Sequence, residues 1–329
     1  MDGEGRVLAS VVSSQLAAHR PYGGVVPEIA SREHLASWPA VAAAALEPLG
    51  LAPRDCDLVA ATRGPGLVGS LLVGLSLGKA LAWGLGRPFY AVHHLEGHLW
   101  SPFLATGGEP AAAAPVALVA LVVSGGHTAI FAVDGAATRT LVETRDDAMG
   151  EVFDKLGKRL GLPYPQGPLV DRLAEDGDPT RFALPVPRGD GAPFFSFSGL
   201  KSAAVRRLEL LEREGLELED PAEPPQPVRD LLAAFRAAAV AQLVDRLERL
   251  YRERPFPLLA VSGGVAANRL LRRELARWAG ERGVDLRLVP LAYAGDNAAM
   301  IAFAALQRHR RGDPGDALDA EPASRIALG

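Results

Sequence analysis

Apolar residues in this chain come in short uninterrupted runs, several of them followed by glycine and then by a helical period. Residues 58–62 form one such run. It ends in Arg63-Gly64-Pro65-Gly66-Leu67-Val68-Gly69-Ser70 and opens a long apolar helix to about Trp83. Residues 258–261 repeat the arrangement, continuing through Ser262-Gly263-Gly264-Val265-Ala266-Ala267-Asn268 into a helix over 269–279. An apolar run of about four to eight residues bounded by glycine reads as a buried strand, because helices are rarely that short. By the same reasoning 116–123 is a buried strand that turns through Ser124-Gly125-Gly126 into another at 127–133. Residues 6–14 read as a strand, and 30–49 are helical in pattern. The pattern predicts an α/β chain in which a strand–glycine–helix unit occurs twice, with a cleft between the copies. The alanine- and proline-rich stretch 109–115 is a linker, and 214–227, rich in acid and proline, is a surface loop. The tail after Arg311 has little pattern and is expected to dock weakly or fray.

With 329 residues and 48% hydrophobic content the chain can bury a large core as two domains or one two-lobed unit. A net charge of −4 excludes a surface that is basic throughout, so any RNA contact must be a local patch or be shared with another subunit. One cysteine, Cys56, excludes an intrachain disulfide and a cysteine-rich metal site. No uninterrupted apolar run reaches the length of a bilayer span, and no cationic segment precedes an apolar one. A cytoplasmic protein without a membrane is expected.

Candidate chemistry starts with His93-His94-Leu95-Glu96-Gly97-His98. The i, i+4 spacing of His94 and His98 puts both imidazoles on one helix face, a common way to present two nitrogens to a divalent metal. The order differs from that of zinc peptidases, where a glutamate stands beside the first histidine. Here Glu96 lies about 200° around the helix from His94 and cannot share that face. The plainer reading, a polar helix surface, stays open. Ser124-Gly125-Gly126, Ser262-Gly263-Gly264 and Arg63-Gly64-Pro65-Gly66 are three turns whose amides could approach an anion, and two of them follow buried strands. None matches a Walker or dinucleotide loop. Asp154, Asp171 and Asp296 are the acidic candidates. The first two could hold ribose hydroxyls or simply sit as helix N-terminal charges. Asp296 could be the N-cap of the last helix or an oxygen ligand beside the histidines.

Together these residues resemble one family, the tRNA N6-adenosine threonylcarbamoyltransferases, once misnamed glycoprotein endopeptidases. The resemblance runs from about Tyr22 to about Phe303. It is carried by Tyr22-Gly23-Gly24-Val25-Val26-Pro27-Glu28, Gly64-Pro65-Gly66-Leu67, the histidine motif, Ser124-Gly125-Gly126-His127-Thr128, Phe195-Ser196-Phe197-Ser198-Gly199-Leu200-Lys201, Gly263-Gly264-Val265-Ala266-Ala267-Asn268-Arg269 and Asp296-Asn297. It implies a two-lobed, duplicated actin, Hsp70 and sugar-kinase-like α/β fold. Residues 1–112 would form lobe one, with 296–329 returning to it, and 113–295 would form lobe two. The implied reaction moves a threonylcarbamoyl group from threonylcarbamoyl-AMP to the exocyclic amine of the adenosine just 3′ of the anticodon (position 37), in tRNAs reading codons that begin with A. By resemblance His94, His98 and Asp296 hold one divalent ion, iron before zinc. Substrate contacts carry over to Val122, Val123, Ser124, Gly125, Gly126, Asp154, Gly167, Asp171 and Asn268. No residue marks itself as a general base. Implied partners are tRNA, a paralogous scaffold subunit and a small ATPase. Lys201, Arg206, Arg207, Arg269, Arg272 and Arg273 are candidates for RNA phosphates.

Two departures from the family pattern stand out. Gln166 replaces a glycine usual in the loop Tyr164-Pro165-Gln166-Gly167, which should tighten it. The chain also lacks the opening strand and hairpin of the family, with its Glu-Thr-Ser-Cys-Asp-Glu-Thr-like stretch. Roughly twenty residues, two strands of the first sheet, are therefore expected upstream of Met1, since without them a sheet edge and apolar surface would lie bare. The rival readings are a non-catalytic or weakly active shortened paralogue, a metallopeptidase, and a sugar or acetate kinase of the same superfamily. The first predicts lost metal ligands, the second needs a base that Glu96 cannot provide, and the third leaves the histidines without a role.

Overall fold

The computed structural model describes residues 1–135, 137–186 and 194–328. The chain divides into two compact units, Met1–Pro115 with Val289–Gly329, and Val116–Leu288. In chain order the first unit contributes α1 (Leu16–His19), α2 (Pro27–Leu46), β1 (Val59–Gly64), α3 (Val68–Leu85), β2 (Phe89–His93) and α4 (His94–Trp100). The second contributes β3 (Ala117–Val123), β4 (Thr128–Asp134), β5 (Ala137–Thr144), α5 (Met149–Arg159), α6 (Gly167–Leu173), β6 (Phe194–Phe195), α7 (Ser198–Arg213), α8 (Gln226–Glu253), β7 (Leu258–Ser262), α9 (Arg269–Arg282) and β8 (Asp285–Leu288). The first unit closes with α10 (Ala298–Arg310).

In the first unit β1 and β2 pair in parallel, Val59 opposite Phe89 and Thr62 opposite Val92. Helix α3 lies on them through Leu75 and Ala82, which share a small core with Ala61, Phe89 and Ala91. Gly78 permits this approach, since a Cβ there would stand 3.0 Å from the Phe89 ring and 3.2 Å from Ala61 Cβ. The other face of α3 is bare: Leu72 is 52% and Trp83 78% exposed. By length and composition α3 is apolar enough to cross a membrane. Ser70, Ser76 and Lys79 interrupt its apolar sequence. Lys79 is tied into the fold, its ammonium donating to the Ala320 carbonyl.

Two expectations fail in this unit. Residues 6–14 are not a strand. Val12 is 68% exposed, and no strand among the described residues offers the segment a ladder, without which β-propensity alone does not hold an extended chain. The tail after Arg311, in contrast, is firmly docked. The Asp316 amide donates to the Phe89 carbonyl at 2.7 Å, and its carboxylate accepts from the Ala91 amide at 2.8 Å, so this one residue supplies both groups that a neighbouring strand would offer β2. Farther on, the Ala323 amide donates to the Arg63 carbonyl at 3.0 Å, and Arg63 Nε to the Glu321 carbonyl at 3.1 Å. The tail is held mostly by hydrogen bonds to main-chain groups, with Ala320 adding an apolar contact to the small core, which is why it shows no hydrophobic period.

The second unit is built on a six-stranded mixed sheet in the order β6-β5-β4-β3-β7-β8. Strand β4 runs antiparallel to both β3 and β5 in a meander, while β6 adds to β5, β7 to β3 and β8 to β7, each in parallel. Residues 118–123 of β3 are all buried, the continuous apolar run of a strand covered on both faces. Helix α8 is buried over most of its length, including four polar residues, Asp230, Arg236, Gln242 and Arg246. Each has a task. Gln242 pairs with Ser196 as a strand would, accepting from its amide at 2.8 Å and donating to its carbonyl at 2.9 Å, and so fixes the Phe-Ser-Phe-Ser segment. Arg246 donates to the Phe194 carbonyl and Asp230 accepts from Arg181.

Glu248 joins α8 to α9. Arg282 Nε donates to its carboxylate at 2.6 Å and Trp278 Nε1 at 2.9 Å. The Arg282 bond, resisted by burial and aided by Trp278 and Arg252, pulls the carboxyl from the ordinary 4.5 down to about 2. A depressed folded value means that the bond stabilises the protein fully above about pH 4.5 and is lost as pH falls toward 2. Converted and reduced for the exposure of Arg252, the contribution is no more than about 3 kcal/mol. Glu248→Gln is therefore expected to lower urea stability at pH 7 by about 1–3 kcal/mol, with the gap from the wild type shrinking between pH 5 and 3. A gap that does not change with pH would rule out the charged bond as its source.

Candidate functional site

In the first unit a fully buried strand, β2, runs straight into α4, so its last residue becomes the helix cap. His93 Nδ1 accepts from the Leu95 amide at 3.1 Å, and its Nε2 lies 3.1 Å from the Ile326 carbonyl, which places the ring hydrogen on Nε2. Burial holds His93 below its usual pKa, and the bond to Ile326 opposes this only in part. One turn on, His94 and His98 project from the same side of α4, ring centroids 4.7 Å apart and planes at 84°. Helix α10 packs tightly on α4 at Gly97, where a Cβ would stand 3.0 Å from Ile301 and from Met300. That close approach delivers Asp296 to the histidines. Asp296 Oδ1 lies 3.5 Å from His94 Nε2 and 3.3 Å from His98 Nε2. Asp296 is not the cap of α10; Asn297 is, accepting from the Met300 amide at 2.9 Å.

One ligand atom from each of the three residues lies within 4.8 Å of the others. His98 is wholly buried, and neither of its nitrogens makes a hydrogen bond among the described residues. Nε2 is close to the Asp296 carboxylate but is not hydrogen-bonded to it. Two ligands at about 2.1 Å in a tetrahedral arrangement are roughly 3.4 Å apart, which these separations match. An orphaned buried imidazole with a second imidazole and a carboxylate converging on it fits a divalent cation. Glu96 lies elsewhere, 3.9 Å from Arg311, and burial raises its carboxyl despite Arg308 and Arg311.

In the second unit the two glycine turns meet at one end of the sheet, because β3 and β7 are parallel neighbours with Val122 opposite Ser262. The first is a tight hairpin: the Ser124 amide donates to the His127 carbonyl, and Ser124 Oγ accepts from the His127 amide. Gly125 and Gly126 at its tip are exposed, and a Cβ on either would meet nothing within 4 Å. Gly263 differs. Its φ is +94°, and a Cβ would stand 2.2 Å from the Val123 carbonyl, so it is needed by the fold itself. Helix α5 begins against both turns. A Cβ at Gly150 would stand 2.7 Å from the Ser124 carbonyl and 2.9 Å from Val265, while the Met149 amide donates to Thr128 Oγ1. Two glycine turns and a helix start thus meet at one place; the Ser124, Met149 and Gly150 amides are bonded within the fold, and the exposed Gly125 and Gly126 offer theirs to an anion such as a phosphate. Val122 and Val123 have fully buried side chains and can offer a ligand only main-chain atoms.

The remaining candidates form two linked pairs. Asp154 accepts from the Gly167 amide at 2.7 Å, capping α6 from α5. Burial lifts its carboxyl above the usual value although the Gly167 and Gln166 amides oppose it. One turn along α6, Asp171 Oδ1 accepts from Asn268 Nδ2, while Asn268 Oδ1 caps α9 by accepting from the Leu271 amide at 2.8 Å. Neither aspartate is an N-terminal charge of its own helix. Gln166 is buried and packs on α5 at Gly157, where a Cβ would stand 2.5 Å from Gln166 Cβ. The tail covers the Arg63-Gly64-Pro65-Gly66 turn at Gly64, where a Cβ would stand 2.3 Å from the Ala323 carbonyl, while Gly66 is exposed.

Several residues of this region escaped the sequence reading. Asp146 accepts from the Phe197 and Ser198 amides and from Ser196 Oγ, and Asp147 accepts from Lys155 and Lys201, each at 2.6 Å. Burial would raise the Asp147 carboxyl, but Lys155, Lys201 and Ser198 outweigh it and bring it down to about 2. Lys201 is therefore spent inside the fold. The pairing was invisible because Asp147 and Lys201 are far apart in sequence. Of the other basic candidates, Arg206 and Arg207 line an open groove of about 450 Å³ with Arg181, Phe182, Leu184 and Leu210, and Arg207 stacks 4.7 Å over the Phe182 ring.

Comparison with known proteins gives a consistent result. A sequence model of the tRNA N6-adenosine threonylcarbamoyltransferase family matches residues 6–303. A tRNA N6-adenosine threonylcarbamoyltransferase from Brucella anthropi is 47% identical over 335 residues, spanning 99% of this chain and 89% of the relative. One from Sorangium cellulosum is 46% identical, spanning 98% and 91%. Among solved structures, T. kodakarensis HypF superposes with a TM-score of 0.55 at 14% identity, over 80% of this chain but only 42% of HypF. At that identity the likeness concerns the fold alone.

Proposed function

The chain belongs to the tRNA N6-adenosine threonylcarbamoyltransferase family, and from that premise we propose how its own residues carry out the transfer. It is an acyltransferase of tRNA modification. The exocyclic amine of the target adenosine attacks the carbamoyl carbon of threonylcarbamoyl-AMP, the bond from that carbon to the phosphate oxygen breaks, AMP leaves, and the amine loses a proton. The match across almost the whole chain carries this reading, and the geometry supports the roles proposed for its residues. The amides of Gly125 and Gly126, at the exposed tip of the turn, would hold the adenylate phosphate and stabilise the charge on departing AMP. Asp154 and Asp171 would take the donor's hydroxyls, with Asn268 and the Gly167 amide fixing their carboxylates. His94, His98 and Asp296 would hold one divalent ion, iron before zinc, whose chemistry is to polarise oxygens of the acyl donor.

The two units are proposed as the lobes of a duplicated actin, Hsp70 and sugar-kinase-like fold. Each carries a strand, a glycine turn and a helix (β1 to α3, β7 to α9), and among the described residues the sheet of the first consists of β1 and β2. The bare face of α3, with Leu72 and Trp83, suits a protein partner such as the paralogous scaffold subunit, and a small ATPase completes the proposed assembly in the cytoplasm, away from any membrane. The arginine groove on α7 is the proposed contact for tRNA phosphates. A metallopeptidase would need a base beside the metal ligands, and the Glu96 carboxylate is turned to Arg311 instead.

The test is reconstitution. Full-length protein with its partners, a divalent metal, threonylcarbamoyl-AMP and an unmodified tRNA should yield threonylcarbamoylated adenosine on nucleoside mass spectrometry. A complete, metal-loaded assembly that yields none would overturn the reading.

A further inference from the structure

Arg236 stands in the middle of α8, its side chain 7% exposed, where a guanidinium is expensive to keep unless its donors are used. They are used on a single short stretch. Nη1 donates to Asp171 Oδ1 and to the Asp171 carbonyl, each at 3.1 Å, and to Glu175; Nη2 donates to the Ala174 carbonyl at 3.0 Å. Nε has no partner among the described residues. Holding α6 against α8 would require only Glu175 and the carbonyls. The bond to the Asp171 carboxylate adds something else. Asn268 Nδ2 also donates to Asp171 Oδ1, so two donors from different helices land on the same oxygen, and no hydrogen bond among the described residues reaches Oδ2. A carboxylate pinned in this way cannot rotate to exchange its oxygens. It offers Oδ2, a pure acceptor, in one fixed direction.

We propose that Arg236 is a positioning residue for the transfer, orienting the Asp171 carboxylate so that Oδ2 accepts a hydroxyl of the adenylate donor. This rests on the reading of Asp171 as a substrate contact. A planar fork is required, because one nitrogen must reach Asp171 and Glu175 while the other reaches Ala174; an ammonium in its place cannot make the same set.

The experiment compares Arg236→Gln, Arg236→Lys, Asp171→Asn, Glu175→Gln and the Asp171→Asn/Arg236→Gln double variant in the full complex, by thermal melting and steady-state kinetics for both substrates. Arg236→Gln is expected to raise KM for threonylcarbamoyl-AMP about tenfold, with kcat and the KM for tRNA changed less than about threefold. In the Asp171→Asn background the same change should add almost nothing, since both act through one bond. Glu175→Gln should melt earlier, as the arginine variants do, yet leave the KM for the adenylate within about twofold; a merely structural arginine would move both alike. A folded Arg236→Gln with wild-type KM for the adenylate, beside an Asp171→Asn that raises it, overturns the role of Arg236 and leaves Asp171 standing. An Asp171→Asn without effect removes the Asp171 contact, and Arg236 with it. Should Arg236→Gln fail to fold, Arg236→Lys keeps the charge and gives the same reading.

Discussion

Replacing His98 by alanine is expected to empty the metal site and to lower kcat/KM by about a hundredfold or more while the protein stays folded. The argument starts from burial. His98 is wholly enclosed, yet both ring nitrogens lack hydrogen bonds among the described residues. A buried imidazole without partners costs stability, about 1–3 kcal/mol for each group left unsatisfied, and removing it should not unfold the metal-free protein. Metal reverses the comparison. At a hundredfold excess over its dissociation constant, an ion that binds only the folded state adds about 2.7 kcal/mol. Wild type should thus melt at a clearly higher temperature when iron or zinc is added, and His98→Ala should not respond. Metal analysis of the purified proteins checks the same point, with about one ion per wild-type chain and less than about a tenth of that in the variant. A folded His98→Ala that retains a full complement of metal would dismiss the site.

The second large effect is expected at the exposed hairpin. Gly125→Val and Gly126→Val place a Cβ where nothing lies within 4 Å, on residues exposed at the hairpin tip, so folding should be little affected. If the space over that turn belongs to the adenylate phosphate, each variant should raise KM for threonylcarbamoyl-AMP at least about tenfold, with the KM for tRNA and the melting temperature near wild type. Gly263→Ala provides the contrast. There φ is +94° and the new methyl would stand 2.2 Å from the Val123 carbonyl, so loss of folded protein is expected. Valine variants at 125 and 126 that bind the donor normally would leave the open space without a purpose and the phosphate site without its centre.

What could be read in the sequence was whatever is local. The strand–glycine–helix units at 58–83 and 258–279 were readable because a short apolar run, a turn residue and a helical period all fall within about 25 residues. The histidine pair was readable for the same reason, its spacing being one turn of helix. What escaped depends on contacts distant in sequence. Arg236 looks like any arginine in an alanine-rich helix until α6 is laid beside it. Asp146 acquires its role from Ser196 and Phe197, and Asp147 from Lys155 and Lys201; Ser196, Phe197 and Lys201 lie some fifty residues on. The expected strand at 6–14 had the right residues but no ladder. The tail was misjudged in the opposite direction, because main-chain hydrogen bonds leave no trace in side-chain pattern.

That tail sets the timetable of the molecule's birth. Residues 316–326 lie beside β1 and β2, more than two hundred positions after the strands they accompany. On a translating ribosome, 116–288 emerge as one unbroken stretch, whereas the earlier-made strands must wait, with an edge unguarded, until residues 316–326 have been made. The half made first is the half finished last, and nascent-chain chaperones would find their client there.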